Sequence, residues 1–291
     1  MLNRIALGTA QFGYNYGIAN KRGRIPEDEV FDILKFAAAS EIDTIDTAHS
    51  YGESEAVIGK FLARFDKKFK VISKLPDVGP GGADSVEVSL RESLGRLKQN
   101  RIYGYLIHKF DNLVTYKNLW VKLESFKKHG LVEKIGASLY KPEELEYLLN
   151  NHVPLDMVQV PYNIFDQRFA EYFHILKAEN VEIHTRSVFL QGLFLMDRDE
   201  AANRFQTAKT AIEKLHAVSS DYDIPMHSLC LCFVLLNEHI DKVVFGIDSL
   251  GHLKQNIASL EYYEKVRGIH SILELLQFHD EGVILPYNWK K

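Results

Sequence analysis

Cysteine is nearly absent: the chain has two, Cys230 and Cys232, in 291 residues. Two thiols cannot staple a fold of this size. Their i, i+2 spacing inside an apolar run reads as packing in a reducing compartment. Long apolar runs are also missing, and none reaches the ~18 residues needed to cross a bilayer. The first residues, Met1-Leu2-Asn3-Arg4-Ile5, lack the basic region and apolar core of a secretory signal. A soluble, cytoplasmic protein with no membrane partner is therefore expected. An excess of one charge is lacking too. The formal net charge is -4 and the pI about 6.3, so there is no general pull toward nucleic acid. No linker, charge block or low-complexity tract interrupts the chain. One domain spanning 1–291 is expected, with the 46% hydrophobic and 25% charged content of a globular protein.

What is present is alternation. Short apolar runs are followed by longer stretches of helical period. Strands are expected at 5–8, 42–46, 70–74, 102–108, 134–138, 157–161, 182–187 and 242–246. Helices are expected at 26–40, 53–64, 84–97, 118–128, 141–150, 166–179, 203–222, 225–237 and 250–263. The segment 78–84 reads as a loop feeding a helix, with Asp84 as its cap. The segment 281–291 is too short for another unit and is expected to cross one end of the fold. Strands separated by helices imply parallel pairing with right-handed crossovers. Eight such units fit a closed (β/α)8 TIM barrel in the α/β class. The rival doubly wound sheet usually carries G-x-G-x-x-G after its first strand. Gly8-Thr9-Ala10-Gln11-Phe12-Gly13 does not match it.

A barrel of this kind works at the C-terminal ends of its strands. Several predicted strands end in polar groups: Asp46, Lys74, His108, Ser138, Gln159, Arg186 and Ser187. Taken singly, each has an ordinary reading as a turn former, a cap or a side chain reaching water. Together they build a polar floor on one rim, and Tyr51 follows five residues after Asp46. A metal-dependent hydrolase would need clustered ligands. There is no H-x-H after the first strand, so no metal site is expected.

The segment Asp46-Thr47-Ala48-His49-Ser50-Tyr51-Gly52 resembles the D-T-A-x-x-Y-G motif of the aldo-keto reductases. Ser73-Lys74 and Leu106-Ile107-His108 resemble that family's lysine and histidine segments. The likeness continues through Ile135-Gly136-Ala137-Ser138, Val158-Gln159-Val160-Pro161-Tyr162-Asn163, Gln191-Gly192-Leu193 and Gln255-Asn256, covering nearly the whole chain. It implies a barrel and reversible carbonyl reduction by a nicotinamide cofactor. The partner would be a small carbonyl substrate: an aldehyde, ketone or sugar. The implied catalytic set is Asp46, Tyr51, Lys74 and His108. Hydride reaching a carbonyl carbon leaves charge on oxygen, which needs a proton. Tyr51 would supply it. A phenol is a weak acid, and the Lys74 ammonium should favour its phenolate. Asp46 would aim Lys74, and His108 would orient the substrate oxygen. His49 and Ser50 fill the motif's variable positions.

On the cofactor side the resemblance implies Thr9, Ser138, Gln159, Arg186, Ser187, Phe189, Gln191, Gly192, Gly246, Ser249, Gln255 and Asn256. Ser138 and Gln159 would bind the carboxamide. Arg186 stands where relatives often place an aromatic that stacks on the nicotinamide. A guanidinium can stack, but it adds a charge beside a ring that is cationic when oxidised. Gly246-Ile247-Asp248-Ser249 before a helix offers N–H groups to a phosphate. Asp248 stands where many relatives are basic, so NADP(H) is expected with NAD(H) as the alternative. Phe12, Tyr14, Tyr16, Phe189 and Trp289 are candidate pocket walls. A rival function is a cofactor-binding regulatory or sensor subunit with little turnover. No interface signature indicates an oligomeric state.

Overall fold

The computed structural model describes residues 1–18, 20, 22–79, 82 and 84–289. Eight parallel strands close into a barrel in sequence order. They are β1 (Ile5–Gly8), β2 (Thr44–Asp46), β3 (Lys70–Leu75), β4 (Ile102–Ile107), β5 (Val132–Ser138), β6 (Met157–Pro161), β7 (Glu182–Arg186) and β8 (Lys242–Gly246). β1 pairs with both β2 and β8, so the sheet has no edge. No described helix is long and apolar enough to span a membrane.

Strand register explains which residues share the interior. Gly8 lies opposite Asp46 and Gly246, and Asp46 lies opposite Ile72. Lys74 pairs with Leu106, Leu106 with Gly136, and Ser138 with Gln159. Gln159 pairs with His184. Because side chains alternate along a strand, these paired positions all face one side. That side is the lumen. Ile72, Leu106 and Met157 form a small buried cluster apart from the main core, which lies between sheet and helices. Asp46, Lys74, Ser138, Gln159 and Arg186 are therefore on the inward face, at the C-terminal rim.

The outer helices begin as their sequences dictate. Glu27–Ala39 starts after Pro26 with Glu27, Asp28 and Glu29 in its first turn, which suits the positive end of the helix dipole. Pro142–Asn150 is capped by Glu144, whose carboxylate accepts the Lys141 N–H at 3.1 Å. Met226–Leu236 is buried nearly all round and contains both free cysteines, as packing requires. The helix Asp84–Leu97 matches its expected span, but the Asp84 side chain and residues 80, 81 and 83 of the loop before it lie outside the described structure.

Three helical expectations are corrected. The stretch 166–179 becomes helical only at the turn Ala170–Tyr172, followed by Phe173–Ala178. Asn163 Oδ1 accepts the N–H groups of Phe165 and Asp166, and buried Asp166 holds Arg168, so this segment is tied into a turn. The stretch 203–222 is broken into Arg198–Arg204 and Lys209–Asp221 at Phe205, whose backbone leaves the helical region at φ -122° and ψ 69°, and whose ring lies 4.8 Å from that of Trp289. The stretch 250–263 kinks through Ser259–Tyr262 after Ala258. The C-terminal segment forms Glu281–Ile284 and Pro286–Asn288 beside the exit of β5, where Tyr287 packs on Tyr140 at 4.9 Å. Residues 290 and 291 lie outside the described structure.

Candidate active site

Asp46, at the end of β2, is 3% exposed, and Lys74, next to last in β3, is 1% exposed. Lys74 Nζ donates to Asp46 Oδ2 at 2.6 Å and to the Thr47 carbonyl at 3.0 Å. The second Asp46 oxygen accepts from Gln159 Nε2 at 2.6 Å. Both carboxylate oxygens are thus engaged, as a buried charge demands. Burial pushes the Lys74 ammonium down from its usual range, and Asp46 opposes that.

Tyr51 and His108 bring aromatic edges to the same spot. Their rings meet edge-to-face with centroids 5.8 Å apart, and Lys74 Nζ lies 5.3 Å from the Tyr51 ring centre. The phenol makes no hydrogen bond to a described residue, and both residues line a cavity at the C-terminal rim. Burial drives the Tyr51 phenol well above its usual range, with the Asp46 charge acting in the same direction. In the protein alone the phenol is held protonated. His108 is pushed down to about 3, first by burial and then by Lys74, Arg186 and Lys109. It is a neutral imidazole at physiological pH. Its Nδ1 lies 3.3 Å from Ser50 Oγ, so when Ser50 donates there, Nε2 carries the proton.

The loop carrying Tyr51 is pinned by contacts that the sequence did not announce. Thr47 Oγ1, Ser54 Oγ and Thr9 Oγ1 form a buried hydroxyl chain, with contacts of 3.0 and 2.8 Å. Thr9 also donates to the Asp46 carbonyl at 2.9 Å. Thr9 lines the cavity, while its hydroxyl is committed to the Asp46 carbonyl and Ser54. Gly13 abuts the same loop: a Cβ there would lie 1.6 Å from the Tyr51 carbonyl oxygen, so only glycine fits. Buried Glu55 accepts from Ser73 at 2.5 Å and from Arg96 at 2.8 Å, fixing the next helix to β3.

The cavity, of about 580 Å³, runs from Tyr51 and His108 past Ser138, Gln159 and Arg186 to Gly246, Asp248 and Asn256. That volume suits a bound organic molecule. Ser138 presents a hydroxyl with no described protein partner, and Gln159 keeps its carbonyl end uncommitted. After β7 the chain takes left-handed conformations at Ser187, Leu190 and Gln191, with φ of 64°, 44° and 51°. Such strain is tolerated where a site needs it. Phe189 and Gly192 line the cavity, while Gln191 Nε2 donates to Tyr16 Oη at 2.9 Å, bridging the loops after β1 and β7.

At the far end Ser249 caps the helix Leu250–Ala258 by accepting from the His252 N–H at 3.1 Å. Gln255 and Asn256 line the cavity there. Asp248 also lines it, and burial raises its carboxyl. Arg22 donates to the Asp248 carbonyl at 2.9 Å and pairs with Glu29. Sequence reading missed Gln11, whose buried Oε1 has no described partner and which borders the same end. It follows a strand end, the signal used on other strands but not on β1.

Some expected pocket groups lie elsewhere. Phe12 is fully buried in the main core. Trp289 donates to the Val283 carbonyl at 2.9 Å and does not reach the cavity. His49, at a variable position of the motif and not among the expected pocket walls, turns outward to Glu92 at 3.0 Å. Tyr14 stands edge-on behind Tyr51 with centroids 6.1 Å apart, and Tyr16 lines the cavity itself.

A closed barrel with an acid, an amine, a phenol and an imidazole at its C-terminal rim defines a class of protein. A profile of the aldo/keto reductase family matches residues 4–269, and the chain belongs to that family. It is 27% identical to aldo-keto reductase YhdN of Bacillus subtilis over 181 residues, covering 58% of this chain and 53% of that protein. It is 22% identical to aryl-alcohol dehydrogenase GME11368 of Pestalotiopsis microspora over 268 residues, or 82% and 70% of the two chains. With the holo form of aldo-keto reductase AKR11C1 from Bacillus halodurans it superposes with a TM-score of 0.74 at 20% identity, covering 96% and 94%. Matches to the first curated relatives span about half of their length.

Proposed function

We propose that this protein reduces a small carbonyl compound to an alcohol with a nicotinamide cofactor, and that Tyr51 donates the proton. One observation carries the reading. A free phenol and a neutral imidazole open together into an elongated cavity, directly above a fully buried Lys74–Asp46 pair.

The residues present fit the cofactor. Ser138 and the carbonyl end of Gln159 can hold a carboxamide, and buried Gln11 Oε1 awaits a donor at the other end. When bound, the nicotinamide supplies the hydride. The protein supplies the rest. His108 donates a hydrogen bond to the substrate oxygen and sets its place. Tyr51, kept protonated by burial, hands its proton to that oxygen as negative charge builds there. The phenolate left behind is countered by Lys74, whose position Asp46 and the Thr47 carbonyl fix. Tyr16 and Phe189 exclude water beside the reacting atoms.

NADP(H) is the nucleotide this family resemblance favours, with Arg22 and His252 as the basic groups beside Asp248. NAD(H) is the second reading, because Asp248 itself faces the cavity. Fluorescence titration with each reduced nucleotide tests this choice, and tighter NADH binding overturns it. The reaction is tested with a panel of short, aryl and sugar aldehydes. Turnover with NADPH or NADH supports the reductase. Tight nucleotide binding without turnover of any aldehyde would instead favour the sensor reading.

A further inference from the structure

Arg186 is a cation that the reaction above does not use. It ends β7 on the inward face, half-buried, and lines the cavity between Ser138 and Phe189. No carboxylate among the described residues lies within ion-pair distance of it. Its guanidinium carbon sits 4.0 Å from the centre of the Tyr140 ring. One terminal nitrogen donates to the Leu139 carbonyl at 2.9 Å and the other reaches Ser187 Oγ at 3.4 Å. Tyr140 is itself held: Glu144 accepts its N–H at 2.6 Å, and Arg168 donates to its carbonyl at 3.2 Å.

The guanidinium is therefore fixed, with one face stacked and both terminal nitrogens turned toward protein oxygens. What it offers a ligand is its other flat face, together with the N–H groups those contacts do not use. An anion clamp would draw on the N–H donors that these two contacts leave over. A flat cation face suits a planar ring. The hydride donor must lie within reach of a carbonyl held at Tyr51 and His108, and Arg186 bounds the cavity beside those groups. Its charge is felt there: it acts on both His108 and Lys74. Lys74 is paired with Asp46 at 2.6 Å, whereas no such counter-charge stands beside Arg186 among the described residues. Arg186 is the cavity-lining arginine without a carboxylate partner among the described residues.

We infer that Arg186 makes this site discriminate the redox state of its nucleotide, binding the neutral reduced nicotinamide and repelling the cationic oxidised one. The inference rests on the cofactor reading above and goes beyond it. The two forms of the nucleotide differ by one positive charge on the ring and by nothing at the phosphates or adenosine. The ratio of their dissociation constants therefore isolates the ring. After hydride has left, the same repulsion expels the spent nucleotide.

The test is titration of the full chain with NADPH, NADP+, NADH and NAD+ at one ionic strength. For whichever pair binds, the reduced form is expected to bind at least about tenfold more tightly. Arg186→Gln should shrink that preference at least about fivefold, and Arg186→Lys, which keeps the charge, should preserve most of it. A wild-type preference below about threefold overturns the inference without any variant. So does an unchanged ratio in Arg186→Gln with both forms still binding. An equal loss for both forms would overturn it by assigning Arg186 to the phosphates. Loss of benzoate or phosphate binding in Arg186→Gln, with the nucleotide ratio intact, would overturn it in favour of a substrate-anion clamp. Failure of all four nucleotides to bind removes the cofactor reading and this inference together.

Discussion

The two ends of the barrel are both rich in charge, yet they use it differently. At the N-terminal end, acidic residues stand just before β2, β6 and β8. Asp43 takes Lys242 at 2.5 Å. Asp156 takes Lys127 at 2.5 Å and the Ile135 N–H at 2.9 Å. Asp241 takes Lys177 at 2.9 Å and the Ile183 N–H at 2.8 Å. Arg4 binds the carbonyls of Leu235, Asn237 and Ile240. These groups are partly wet, and each satisfies a strand end or a partner. At the C-terminal end the Lys74–Asp46 pair is dry, and part of the rim's polar capacity is left over: a free phenol, a free hydroxyl on Ser138 and a guanidinium with no carboxylate partner among the described residues. A polar rim that closes on itself stabilises. One that keeps donors facing a cavity is arranged for a ligand.

The comparison breaks most sharply at Tyr51. Tyr51→Phe should lower kcat by about 10³-fold while leaving nucleotide affinity within about twofold. Steady-state kinetics with parallel titration checks this, and wild-type kcat in the variant would remove the acid assignment. Lys74→Met should come next. Stripping one partner from a buried pair strands Asp46 and should destabilise the fold by about 3–5 kcal/mol in denaturant melts. If Lys74 acts through Tyr51, kcat should fall with KM little changed, and the pH profile for reduction should move; a purely structural role would move neither.

Acid separates the ends more gently. His108 is neutral in the fold down to about pH 3, whereas its unfolded form takes a proton near the usual 6.5. Between those values the unfolded state binds more protons, so stability falls as pH drops through that window. His108→Gln should flatten that part of a stability-against-pH curve. The smallest effect belongs to the other rim. Asp241→Asn should cost about 1 kcal/mol, or about 2–3 °C in melting temperature, with kcat unchanged. A large loss of activity there would erase the distinction between the two ends.

The site was legible in uneven parts. Asp46, Lys74, His108, Ser138, Gln159 and Arg186 could be placed on one rim because each ends an apolar run, and strand ends in a parallel barrel share a rim. Gln159 shows the limit. Its approach to Asp46 at 2.6 Å joins residues 113 apart in sequence, and no local pattern encodes that contact. The hydroxyl chain of Thr9, Thr47 and Ser54 escaped for the same reason, and these residues look like ordinary turn formers. The candidate aromatic walls divided according to ring direction, which the sequence does not specify. Phe12 and Tyr16 lie on one short segment, yet one enters the core and the other the cavity.

The sequence by itself determined the barrel, since hydrophobic period and strand spacing are local properties summed along the chain. It determined the chemistry on offer, since acid, amine, phenol and imidazole are fixed by residue type. Tertiary structure decided their states. Burial of Tyr51 holds its proton, burial of His108 keeps it neutral, and Asp46 is shared between Lys74 and Gln159. Those properties depend on how much water and which charges surround a group, and folding alone sets that environment.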